Sequence, residues 1–139
     1  MLAPSLEFAL SYRLMTADNV LIVDDNVWIR RLLVTILRRH GYTSQEALDG
    51  IEAIEQLNGE NNFDGIILDL MMPRADGFEV IAHLRRNHPE MLARTIVLTA
   101  DSSRWSSEDL DGVARVIRKP FDVNELVHLL EEIFRQKAV

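Results

Sequence analysis

Short apolar runs alternate with helix-spaced apolar positions along most of the chain. Residues 20–23 (VLIV) form a β-rich run that stops at Asp24-Asp25. Ile29, Leu32, Leu33, Ile36 and Leu37 then recur at i, i+3, i+4, i+7 and i+8, the stripe of an amphipathic helix. Arg30, Arg31, Arg38 and Arg39 fall mostly off that stripe, and Gly41 is placed to stop the helix. A weak strand is expected near residues 43–47, then a short helix on Ile51, Ile54 and Leu57 that closes at Gly59. Residues 65–68 (GIIL) form the next strand, stopping at Asp69, and a loop with Pro73 and Gly77 leads into a helix carrying Phe78, Ile81 and Leu84. The run at 95–98 (TIVL) stops at Thr99, and the run at 115–118 (RVIR) stops at Lys119-Pro120. Val123, Leu126, Val127, Leu130, Ile133 and Phe134 stripe a last helix. Strand and helix thus alternate five times. That pattern predicts an α/β domain with a parallel sheet covered on both faces.

Composition narrows the possibilities. At 139 residues and 47% hydrophobic, the chain fits one domain with a real core. It has no cysteine, which excludes a disulfide scaffold, a thiolate metal site and a thiol nucleophile. The formal net charge of −7 argues against nucleic-acid binding as the main task. No apolar run approaches the ~20 residues of a membrane span. Residues 1–17 place Leu2, Leu6, Leu10 and Leu14 at intervals of four and read as an N-terminal extension, helical or frayed. Glu7 and Arg13 interrupt what would be the core of a signal peptide.

The chemistry lies where the strands stop. Four of the five end on polar residues that an apolar strand does not need: Asp24-Asp25, Asp69, Thr99 and Lys119. In an open parallel sheet, ligands bind at the carboxyl ends of the strands, so these residues can meet. Three carboxylates held together are costly. Two like charges ~4 Å apart repel by roughly 4 kcal/mol at an effective dielectric of ~20. A raised pKa, the lysine or a divalent cation must compensate. Oxygen ligands without His or Cys suit a hard ion such as Mg²⁺. A metal, a carboxylate nucleophile, a lysine and a hydroxyl are the parts needed for phosphoryl transfer to an aspartate. Each piece also has a plain alternative: an Asp pair capping a helix, Asp69 in a turn, Thr99 as a cap, Lys-Pro in a loop. The four histidines (His40, His83, His88, His128) are expected at the surface or at helix ends, apart from this chemistry.

At these residues the sequence resembles the receiver domain of two-component response regulators. The matching stretches are VLIVDDN (20–26), ALDGIEAI (47–54), DGIILDLMMPRADGFEVI (64–81), IVLTA (96–100) and IRKPFDVNEL (117–126). The resemblance implies a flavodoxin-like, doubly wound five-stranded sheet in the order 2-1-3-4-5, with residues 18–137 forming the receiver. It implies that Asp69 is the phosphoacceptor and that Asp25 binds Mg²⁺ directly, with Asp24 assisting. It further implies that the backbone carbonyl of Met71 is a metal ligand, that Thr99 bonds the phosphoryl group, and that Lys119, before an often cis Pro120, pairs with it. The implied donor is a histidine kinase or a histidine phosphotransferase. The implied role is a cytoplasmic signalling module, not an enzyme, acting as a monomer or weak homodimer through protein contacts. No helix-turn-helix segment follows residue 137, so the reading expects a receiver acting alone, similar to the chemotaxis regulator and the phosphorelay intermediates. A receiver fragment of a larger protein is an alternative. So is a degenerate receiver that is never phosphorylated. A haloacid-type hydrolase is disfavoured, because it needs an Asp where Met71 stands.

Two departures from the family pattern carry expectations. Val116 stands where receivers usually hold an aromatic switch residue. The segment after Thr99 is shorter than in the chemotaxis regulator and rich in Ser and Asp, which compete with helical hydrogen bonds, so a short, shifted or mobile fourth helix is expected. Trp105 within it is either a partner anchor or surface cover. Met71 cannot orient a water by a side-chain hydrogen bond, which favours a long-lived phosphoryl group, although Asp101, two past Thr99, could.

Overall fold

The computed structural model describes residues 5–7, 18–100 and 106–134. Most of the N-terminal extension, with Asp101 and Trp105, lies outside them. The strands are β1 (Asn19–Val23), β2 (Thr43–Ala47), β3 (Gly65–Asp69), β4 (Thr95–Thr99) and β5 (Arg115–Arg118). The helices are α1 (Val27–Arg39), α2 (Gly50–Leu57), α3 (Gly77–Asn87) and α4 (Val123–Phe134). All strand pairings are parallel, in the order β2-β1-β3-β4-β5. The order reverses between β1 and β3, and the crevice at such a reversal is where open sheets of this kind take ligands.

Period-two alternation divides each central strand between two cores. Leu21, Val23, Ile66, Leu68 and Val97 pack with Ala53 and Leu57 of α2 and with Val80, Ile81 and Leu84 of α3. Val20, Ile22, Ile67, Ile96 and Leu98 pack with Leu33, Ile36 and Leu37 of α1 and with Leu126, Leu130 and Phe134 of α4. The edge strands are polar outside a few positions, as edges that must not pair with another chain should be.

An Asn or Asp starts every α-helix that follows a strand. Asn26 accepts from the Trp28 and Ile29 amides, Asp49 from Glu52, Asp76 from Glu79, and Asp122 from Asn124 and Glu125. Gly41 follows α1 at φ 85°, the left-handed stop expected of it. Between β4 and β5 the described residues contain one 3-10 helix, Ser107–Leu110, with Ser106 and Asp109 in a capping box, in keeping with the shortened fourth helix expected there.

Three expectations need correction. Leu32 and Ile51 are exposed although the stripes enlist them, while Arg30 is buried. His83 is buried rather than at the surface. It shares the inner face of α3 with Val80 and Leu84, and its two ring nitrogens are met by Asn58 Oδ1 at 3.0 Å and Asn87 Nδ2 at 3.2 Å. A second 3-10 helix, Pro89–Arg94, enters β4 where no element was expected.

Candidate functional site

The carboxyl ends of β1, β3, β4 and β5 bring the expected residues to one edge of the sheet. Asp69 is the last residue of β3, and Asp24 directly follows β1; both are buried. Asp24 and Asp25 do not cap α1, because Asn26 fills that position. Asp24, Asp25 and Asp69 offer carboxylate oxygens that all lie within 4.8 Å of one another.

Lys119 bridges the buried pair. Its Nζ donates to Asp24 Oδ2 at 2.8 Å and sits 3.5 Å from Asp69 Oδ2. The Lys119–Pro120 peptide is cis, and the Lys119 amide donates to the Thr99 carbonyl at 2.9 Å. Asp24 Oδ1 accepts from the Asn26 amide at 2.9 Å, and Asp69 Oδ1 from the Met71 amide at 3.3 Å. Burial, with the neighbouring Asp24 adding to it, raises the Asp69 carboxyl to about 6 against the pull of Lys119. Three carboxylates gathered with one ammonium leave the cluster with an excess of negative groups. The all-oxygen donor set and this unrelieved negative charge fit a hard divalent cation such as Mg²⁺.

Thr99 ends β4, fully buried. Met71 lies two residues past Asp69 with its side chain exposed. Val116 pairs with Val97 in register and is partly exposed.

Several supporting residues escaped the sequence reading. Arg30 reaches back from α1 to donate to the Asp24 carbonyl at 2.8 Å and pairs with Glu46 at 3.1 Å. Gly77 lies so close to β3 that a Cβ there would fall 2.5 Å from the Asp69 carbonyl oxygen, and its amide donates to the Leu70 carbonyl at 2.9 Å. A Cβ on Gly50 would fall 2.4 Å from the Ala75 carbonyl oxygen, which accepts the Gly50 amide at 2.8 Å. These glycines pin both ends of the loop between Asp69 and α3. The available signal was each Asp-Gly pair before a helix.

The response regulator receiver domain model matches residues 20–131. The chain belongs to this family. The receiver is 37% identical over 120 residues to the response regulator MprA of Mycobacterium ulcerans, covering 85% of this chain and 50% of that protein. It is 37% identical over 122 residues to the transcriptional regulatory protein SrrA of Staphylococcus aureus, covering 86% and 49%. The receiver therefore spans about half the length of the curated relatives it matches. Among solved structures it resembles the response regulator TrrA of Thermotoga maritima in complex with Mg²⁺ and BeF, with TM-score 0.75 and 31% identity, covering 84% of this chain and 98% of that one. Among the described residues, no helix of the receiver is long and apolar enough to cross a membrane.

Proposed function

We propose that the receiver accepts a phosphoryl group on Asp69 in a Mg²⁺-dependent reaction and signals through protein contacts. The observation that carries this is the placement of Asp69 at a strand end, 3.5 Å from the Lys119 ammonium and inside a three-carboxylate cluster. The donor is a phosphohistidine on a histidine kinase or histidine phosphotransferase. An Asp69 carboxylate oxygen attacks phosphorus, the P–O bond forms, the donor's P–N bond breaks, and the imidazole leaves with a proton. Asp24, Asp25, Asp69 and the Met71 carbonyl would hold Mg²⁺, which supplies neutralisation of the oxygens in flight. Lys119 moves from the carboxylates to a phosphoryl oxygen, and the Thr99 hydroxyl donates to another. The protein modifies itself and turns over no separate substrate. The acidic balance of the chain suits protein partners better than nucleic acid, and the module is read as cytoplasmic, a monomer or weak homodimer.

Mass spectrometry after incubation with Mg²⁺ and a small phosphodonor tests the proposal. One added phosphoryl group, absent in Asp69→Ala, supports it. No addition from any donor points instead to a module that works unphosphorylated. Met71 argues for slow loss of the group, and Met71→Asn is expected to speed decay of the phospho-form; an unchanged decay time removes that argument. A second reading, a receiver within a longer regulator, has the length of the matched relatives behind it. The mass of the native protein decides it.

A further inference from the structure

Arg74 sits five residues past Asp69, in the loop that runs on to α3. It has φ 68°, and it is the one non-glycine residue at positive φ among those described. A side chain in the left-handed region carries a steric penalty that glycine does not. Something must hold Arg74 there. Its Nε donates to Asp49 Oδ2 at 2.9 Å. Asp49 is a buried carboxylate at the other side of the loop, and its second oxygen is already committed to capping α2 through the Glu52 amide at 2.9 Å. A buried charge without a partner is strongly unfavourable, so Asp49 has reason to hold the guanidinium. The next residues continue the same seam, with the Gly50 amide on the Ala75 carbonyl at 2.8 Å.

The contact thus ties α2 to the middle of the loop whose start carries Met71. The start is fixed by the Asp69–Met71 hydrogen bond and the end by Gly77 on Leu70. Within residues 72–75, Met72 packs against the core and buried Ala75 accepts from the Gly50 amide, while Arg74 is held through its side chain on Asp49.

We infer that Arg74 is a positioning residue for the phosphoacceptor loop, acting through Asp49 to hold the Met71 backbone where a metal ligand is needed. This rests on the proposed Mg²⁺-dependent role of the cluster. Residues that orient ligands typically change metal affinity by tenfold or more when lost.

The test is Mg²⁺ affinity by calorimetry on the full chain, with amide hydrogen exchange across residues 71–76 as a second reading. Arg74→Gly and Arg74→Asn both suit a positive φ, so neither introduces backbone strain. Both are expected to weaken Mg²⁺ binding about tenfold and to speed exchange in the loop. Arg74→Lys, which keeps the charge, is expected to recover most of the affinity. Asp49→Asn keeps the helix cap, should weaken binding similarly, and should add little when combined with Arg74→Gly. Affinities of the Arg74 variants within twofold of the wild type overturn the inference. So does full additivity of the two substitutions. Failure of the wild type itself to bind Mg²⁺ would instead overturn the function on which the inference rests.

Discussion

Asp69 is held in a position that an ionised carboxylate resists. Burial raises it to about 6 from 3.8, and nearby Asp24 contributes in the same direction. The folded carboxyl keeps its proton to higher pH than the unfolded one. Its stabilising contribution is therefore complete below about 3.8 and lost as pH rises through about 6. At neutral pH the ionised Asp69 carboxylate therefore burdens the fold. Asp69→Asn is expected to raise the unfolding midpoint at pH 7.5 in the presence of a chelator, and to gain much less at pH 4. Added Mg²⁺ should shrink the difference by stabilising the wild type more than the variant, which keeps Asp24 and Asp25 but lacks the third carboxylate. A carboxyl ¹³C titration of the metal-free protein should show the midpoint near 6, moving upward in Lys119→Ala, because the ammonium holds it down. A midpoint near the ordinary value of 3.8 would contradict the burial argument.

The helices show what a periodic pattern can and cannot reveal. Leu33, Ile36, Leu37, Val80, Ile81 and Leu84 all pack inward as their spacing requires. His83 lies on that same arc of α3, but its residue type suggested the surface. What settles it inside is a match visible only in three dimensions. Asn58 Oδ1 can accept from Nε2–H, while Asn87 Nδ2 donates to Nδ1 and also to the His83 carbonyl. These partners suit the neutral ring, and protonation would set N–H against N–H at Asn87. Burial first, then His88 and Arg86, lower the His83 pKa from 6.5. The unfolded chain then takes up a proton that the folded one refuses, so this contribution to stability is present above 6.5 and lost as pH falls below it. Denaturant midpoints at pH 7.5 and 5.5 check this: His83→Gln, which can donate and accept without titrating, should lose less between the two than the wild type. An equal loss in both proteins would show that the ring does not sense the proton.

Across the whole molecule, legibility followed the range of the interaction. The sheet, its two faces and the residues at the strand ends were readable, because alternation and apolar runs are local and a parallel sheet gathers its strand ends at one edge. The seams that hold the site were not. Arg74 on Asp49, Gly50 on Ala75 and Arg30 on Glu46 join segments far apart in the chain by single contacts that leave no period. Gly65 is another such case. Its missing side chain admits the Phe134 ring, which would lie 2.4 Å from an added Cβ and which meets Tyr42 edge-on at 6.1 Å. Gly65→Ala is expected to cost about 1–3 kcal/mol, seen as a lower thermal midpoint, and Gly65→Ala with Phe134→Leu should recover part of it. That docking also fixes where α4 finishes. Phe134 rests on the first residue of β3, and its carbonyl accepts from Arg94 at 2.8 Å, while Asp69 is the last residue of the same strand. The end of α4 at Phe134 thus lies roughly 15 Å from Asp69, the height of a five-residue strand. Under the proposed role, a change at Asp69 therefore reaches that far pole only along the sheet itself or sideways through the helices packed on it.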